Sequence, residues 1–190
     1  MSRVIHNADQ FTVIGENIHA TRVVKRGGVR GHVFEDGSEA VTYKVNGDQR
    51  FVIVPEYFTG TQPYEQGNLK HFMIAMWQGL NGTPEASAQG KDYIRYEVNR
   101  QINAGAHYLD LNVDESSYRL DEQKQTMEWG VKYVETVSTV PPSVDSSNPE
   151  IIEVGLSSYS GSQGRPMLNS IALERPEAID MALKYDARAI

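Results

Sequence analysis

The stretch AGAHYLDLNVDESS, residues 104–117, decides how this chain is read. Taken as a strand of period two, it puts Tyr108, Asp110, Asn112 and Asp114 on one face and His107, Leu109, Leu111 and Val113 on the other. At the edge of an antiparallel sheet the polar face would simply meet water. Helix-like segments on both sides point instead to a parallel strand covered by helices. A covered strand that turns carboxylates and an amide inward needs a chemical reason.

Working outward, the same alternation of helix and strand recurs. Before the stretch, Ile94, Val98 and Ile102 give helical spacing over Tyr93 to Asn103, with Gly105 as the stop. After it, Met127, Val131, Val134 and Val137 mark a helix over Asp121 to Ser138, followed by a short strand, Val140 to Asp145. Asn148-Pro149 supplies a cap and a first-turn proline for a helix to about Ser157. Pro166 to Asn169 reads as a strand, Pro176 opens a helix to Tyr185, and Ala187 to Ile190 begins another strand. Repeated βα units with such short strands imply an α/β fold with a parallel sheet, open or closed into a barrel.

The first ninety residues follow other rules. Val4 to Ile14 suggests a hairpin through Asn7-Ala8-Asp9, its second strand leading into Gly15-Glu16-Asn17-Ile18. Asp36-Gly37 and Asn46-Gly47 are tight-turn dipeptides between Val-, Tyr- and Phe-rich segments, so Val29 to Val54 reads as a three-stranded antiparallel meander. The apolar run His71 to Trp77 reads as a core helix. Residues 23–90 are thus an elaboration between the first strand and the first regular helix, with an antiparallel appendage expected at about 27–88.

Composition excludes several functions. The 190 residues make roughly one domain, and 39% are hydrophobic, enough for a core. With 25 acidic and 18 basic residues the net charge is −7, and no basic cluster offers an electrostatic footprint for nucleic acid. No stretch reaches the roughly 18 apolar residues of a membrane span, and the N-terminus lacks the features of a signal peptide, so a cytoplasmic protein is expected. The absence of Cys removes disulfides, thiolate metal sites and a Cys nucleophile.

The strand ends carry the candidate chemistry. Glu16 follows the first strand, Asp110 and Asn112 lie near the end of the second, Asp145 closes the third and Asn169 the fourth. In a parallel barrel all these ends meet on one face. Helix capping is the competing reading for Asp145 with Ser146 and Asn148, and for Asn169 with Ser170. It does not explain Asp110 and Asn112, which point inward within a strand. His19, in the turn after the first strand, reads first as an exposed or capping residue and second as a polar contact of the site, and a metal site from Glu16, His19 and a strand-end Asp is disfavoured because no spaced pair of histidines supports it.

VIGENIHATR (13–22), AGAHYLDLNVDE (104–115), MEWGVKYVETVSTVPPSVDSSNPEIIEVGL (127–156) and GRPMLNSIALERPEAIDMALKYDARAI (164–190) together resemble the pterin-binding family. The likeness is closest to the methyltetrahydrofolate to corrinoid-protein methyltransferases, which include the folate domain of cobalamin-dependent methionine synthase. Leu-Asp-Leu-Asn, Asp-Ser-Ser-Asn and Leu-Asn-Ser carry it. The Ser-Thr-Arg-Pro-Gly loop and Ile-Asn-Asp of dihydropteroate synthase are absent. Two positions depart from the family pattern: Glu16-Asn17-Ile18-His19 stands where Glu-Arg-Ile-Asn is usual, and Asn112-Val113-Asp114 where Asn-Val-Gly is common.

The resemblance implies a (β/α)8 barrel of TIM type. It also implies that Asp145 accepts the ring NH and exocyclic amino group of a pterin, that Asn169 contacts the ring, and that Asp110, Asn112 and Glu16 line the pocket. The methyl donor would be methyltetrahydrofolate, and the acceptor a cobalamin carried by a partner corrinoid protein. Alternatives are a dihydropteroate synthase-like enzyme and a noncatalytic pterin-binding or assembly module. Four βα units and the opening of a fifth cover about the first half of such a barrel, so the sequence is expected to be part of a longer protein, or to pair as a homodimer.

Overall fold

The computed structural model describes residues 11–190. The hairpin expected through Asn7-Ala8-Asp9 lies outside the described residues. The chain opens with β1 (Ile14–Gly15) and β2 (Val24–Lys25), and then forms β3 (Gly31–Val33), β4 (Glu39–Val45) and β5 (Asp48–Ile53). Two single-turn helices follow, α1 (Glu56–Thr59) and α2 (Gln62–Glu65), then β6 (Asn68–Leu69), α3 (His71–Asn81) and α4 (Pro84–Asn103). From there strand and helix alternate: β7 (Tyr108–Asn112), α5 (Leu120–Val137), β8 (Pro142–Asp145), α6 (Pro149–Ser158), β9 (Met167–Asn169), α7 (Glu177–Lys184) and β10 (Arg188–Ala189).

The central sheet has the order β1-β7-β8-β9-β10, and every pairing in it is parallel. All five strands of β7 to β10 and β1 therefore deliver their carboxyl ends to one edge. The apolar face is sealed by helices so closely that side chains are excluded at two glycines. A Cβ on Gly155 of α6 would lie 2.5 Å from Val144 Cγ1, and one on Gly130 of α5 would lie 2.6 Å from Met76 Cε. Leu109, Leu111, Val144 and Leu168 are fully buried on this side. Asp110, Asn112, Ser143, Asp145 and Asn169 alternate with them and face the other way.

The meander β3-β4-β5 is antiparallel throughout, with Val45 opposite Asp48 across the Asn46-Gly47 turn. Both turn residues have positive φ, 53° and 91°, the demand that makes Asn-Gly favourable there. The meander nevertheless shares its core with the helices: Val41, Tyr43 and Val52 belong to the same apolar cluster as Phe72, Ile94 and Leu109. Tyr43 packs edge-on against Tyr93 of α4 at 4.9 Å and donates its hydroxyl to Asp92 Oδ2 at 2.6 Å, which Arg50 also reaches at 2.6 Å.

A second tie runs through Glu97, whose carboxylate is fully buried. Arg30, just before β3, donates to Glu97 Oε1 at 2.7 Å, and Arg100 reaches Oε2 at 2.6 and 3.0 Å. The Tyr93 hydroxyl donates to Oε1 at 3.0 Å and lies 2.9 Å from His71 Nδ1. Helix α4 also starts earlier than the periodicity indicates, at Pro84 rather than Tyr93. Thr83 caps it by accepting from the Ala86 amide at 3.3 Å, with Pro84 in the first turn.

Candidate functional site

Parallel pairing sets the site in two rows. Asn112 lies opposite Asp145, and Asp145 opposite Asn169, so the three share one level across β7, β8 and β9. One level further in, Asp110 lies opposite Ser143. The loop after β1 joins the outer row: His19 forms a parallel bridge with Asn112, and the Ala20 amide donates to the Asn112 carbonyl at 3.1 Å. Four separate segments thereby bring polar side chains together at the carboxyl ends of the strands, where ligands of parallel α/β proteins bind.

Hydrogen bonds knit the rows. Asn112 Nδ2 donates to Asp145 Oδ2 at 2.9 Å, and His19 Nε2 lies 2.9 Å from the same oxygen. Ser143 Oγ and Asn169 Nδ2 both donate to Asp110 Oδ1, at 2.8 and 3.1 Å. His19 Nε2 is also 3.8 Å from Asp110 Oδ2. No described residue donates to Asp145 Oδ1, and the Asp145 side chain keeps 21% of its exposure. A carboxylate with one oxygen held and the other open is prepared to accept a ligand's N–H groups.

Electrostatics follow from this crowding. Burial raises the Asp110 carboxyl above its usual range, and the neighbouring Asp145 charge adds to the rise while Asn169 and Ser143 oppose it. The Asp145 hydrogen bond raises His19 above its usual value, against burial and with the Asp110 charge assisting. The ring's other nitrogen is constrained as well: the Thr21 amide donates to His19 Nδ1 at 3.1 Å, with Thr21 Oγ1 at 2.9 Å. An amide N–H only donates, so Nδ1 carries a lone pair there and the neutral ring has its proton on Nε2, aimed at Asp145.

His19, Asp110 and Asp145 have potential ligand atoms within 4.8 Å of one another, a donor set that a divalent cation can use. The tautomer opposes it. Coordination through Nε2 needs that lone pair free and the ring proton on Nδ1, where the Thr21 amide already points.

Of the expected residues, Asp110, Asn112, Asp145 and Asn169 converge. Glu16 does not: it is exposed, and its carboxylate pairs with Arg22 at the rim of the β1 loop. His19 follows its second reading, a polar contact, rather than the exposed or capping one: its ring turns into the cluster with a side chain only 16% exposed. Capping falls to other groups. Asn148 caps α6 by accepting from the Glu150 amide at 2.9 Å, and Ser146 Oγ accepts from the Asn148 amide at 3.0 Å, leaving Asp145 to the site. Asp114 buttresses this turn through Ser146 Oγ and the Ser147 amide. Ser143, Thr21 and Asp114 were not singled out from the sequence as site residues; Ser143 sits two residues before Asp145 on the same strand face, a spacing that could have marked it.

A family model described as a pterin binding enzyme matches residues 80–190. The match runs from the end of α3 through β10 and contains Asp110, Asn112, Ser143, Asp145 and Asn169, while Glu16 and His19 precede it. It covers more than half of the chain, and its core is the parallel array that holds the polar rows: the protein belongs to the pterin-binding enzyme family.

Proposed function

We propose that the polar rows bind the pterin of methyltetrahydrofolate and that the protein transfers the N5 methyl group to a corrinoid protein. In this reading the parallel sheet is an arc of a TIM-type barrel. The observation that carries the ligand assignment is Asp145: two donors fix Oδ2, and no described residue donates to Oδ1. A pterin presents a ring NH beside an exocyclic amino group, and the two lone pairs of Oδ1 are the acceptors the carboxylate has left for these donors. Asn169, level with Asp145, gives one amide hydrogen to Asp110 and has no described donor on its carbonyl oxygen, which suits a further contact with the ring. Glu16 takes no part in the cluster described here and would reach the ligand only by leaving Arg22.

The cobalamin of the partner protein would supply a reduced cobalt as methyl acceptor. The chain's own part is to hold the ring in place and to favour protonation of N5, which makes the amine a better leaving group. Asp110, a buried carboxyl that burial raises above its usual value, lies one level inward of Asp145 and would be this chain's group for passing a proton towards N5. The test is methyl transfer from methyltetrahydrofolate to free or protein-bound cob(I)alamin, followed by absorbance. Turnover supports the reading. Binding without turnover is the result for a noncatalytic pterin module, and condensation of aminobenzoate with a pterin pyrophosphate would identify a dihydropteroate synthase-like enzyme.

A further inference from the structure

His19 lies outside the matched family region, yet its ring touches the centre of the site. Three observations define its state. Thr21 fixes Nδ1 as an acceptor, Nε2 meets Asp145 Oδ2 at 2.9 Å, and the backbone beside it is locked to β7 by the bridge to Asn112. Asn112 donates to the same oxygen from the opposite strand. Two donors on Oδ2 stop the carboxylate from rotating about its Cβ–Cγ bond, so Oδ1 keeps one direction.

We propose that His19 is a positioning residue of the ligand site: its Nε2–H, held as a donor by the Thr21 amide, orients Asp145 so that the open Oδ1 is presented to the N–H donors of a ligand. This rests on the pterin reading of Asp145. The second carboxylate, Asp110, lies 3.8 Å from Nε2 and is the competitor for that hydrogen. Without His19, Oδ2 keeps only the Asn112 donor, the carboxylate is free to turn about its Cβ–Cγ bond, and Oδ1 loses its fixed direction. Arg22 is the nearby cation and belongs to Glu16.

The test compares wild type with His19→Ala and His19→Gln. The Gln side-chain amide nitrogen reaches about as far as Nε2 and donates, but does not titrate. Calorimetric titration with methyltetrahydrofolate is expected to show a loss of at least about tenfold in affinity for His19→Ala, with His19→Gln returning to within about threefold of wild type, circular dichroism confirming that both fold. Wild-type affinity in His19→Ala, or a His19→Gln as weak as His19→Ala, overturns the assignment. Should wild type bind no pterin, the ligand reading fails, and His19 is judged by 15N NMR of the ligand-free protein. The expected result there is a neutral ring protonated on Nε2, with a titration midpoint that falls in Asp145→Asn. A proton on Nδ1, or an unmoved midpoint, refutes the coupling.

Discussion

Replacing Glu97 by Gln tests whether the meander is fastened to α4 by charge or merely by apolar contact. Glu97 is fully buried, and its oxygens accept four hydrogen bonds: Arg30 and the Tyr93 hydroxyl on Oε1, and two from Arg100 on Oε2. Burial alone would push its carboxyl up, but the hydrogen bond from Arg100 and the charges of both arginines outweigh burial and hold it below the usual range. Gln preserves the shape and turns one oxygen into a donor facing donors. If that end faces Arg30 and the Tyr93 hydroxyl on Oε1, two charge-assisted bonds are lost, the first of them the tie to the meander, each worth roughly 1.5–3 kcal/mol. The arginines are 44% and 35% exposed and can regain water. That places the cost below the roughly 3–5 kcal/mol of breaking a fully buried pair, at about 1.5–3 kcal/mol. Urea unfolding at neutral pH, followed by circular dichroism, should show a lower midpoint at unchanged slope. The stability held by a depressed carboxyl is present above its unfolded value and lost as pH falls through its folded one, so wild type and Glu97→Gln should converge in acid. A difference within about 0.5 kcal/mol at neutral pH would refute the reasoning.

The buried His71 should make the fold acid-sensitive in its own right. Burial lowers it from 6.5 to about 4, so the unfolded chain takes up a proton first, and up to roughly 3 kcal/mol of stability is lost as pH falls from 6.5 towards 4. Unfolding free energies measured across that window in wild type and His71→Gln check this, with a shallower slope expected for the variant and equal slopes counting against it. Gly155→Ala places a methyl group 2.5 Å from Val144 Cγ1 and 3.2 Å from Met127 Cγ, an overpacking expected to cost about 1–3 kcal/mol. Thermal unfolding at an undiminished midpoint would show that α6 moves off β8 without strain.

The parallel array was legible because its signals are local and redundant. Asn148-Pro149 marked the start of α6, Gly105 the end of α4, and the alternation in Tyr108 to Asn112 separated the polar face from the helix-covered one. Asn46-Gly47 likewise announced its turn through backbone demand alone. The start of α4 was missed although Thr83-Pro84-Glu85 is a capping sequence, because its first two turns carry few large apolar residues to set a period. Inclusion of the meander in the common core depends on Tyr43 meeting Tyr93, fifty residues away, which no local pattern encodes. The same limit separates His19 from Glu16. Three residues apart in one turn, they are read from sequence the wrong way round, Glu16 as lining the pocket and His19 as exposed or capping first, because only the bridge between His19 and Asn112 turns one inward while Arg22 holds the other at the rim.

The central claim is that Asp145 is a pterin acceptor, and calorimetric titration of methyltetrahydrofolate into wild type and Asp145→Asn tests it most directly, with circular dichroism to confirm folding. The structure dictates how Asn would sit: its carbonyl oxygen stays with the donors His19 and Asn112, and its amide NH2 takes the place of Oδ1. A donor then faces the ligand's donors. Such charge-assisted bonds contribute roughly 1.5–3 kcal/mol each, so affinity should fall by at least about tenfold to a hundredfold with the fold intact. Equal affinities in two well-folded proteins would contradict the pterin role of Asp145 and the reading of the site built upon it.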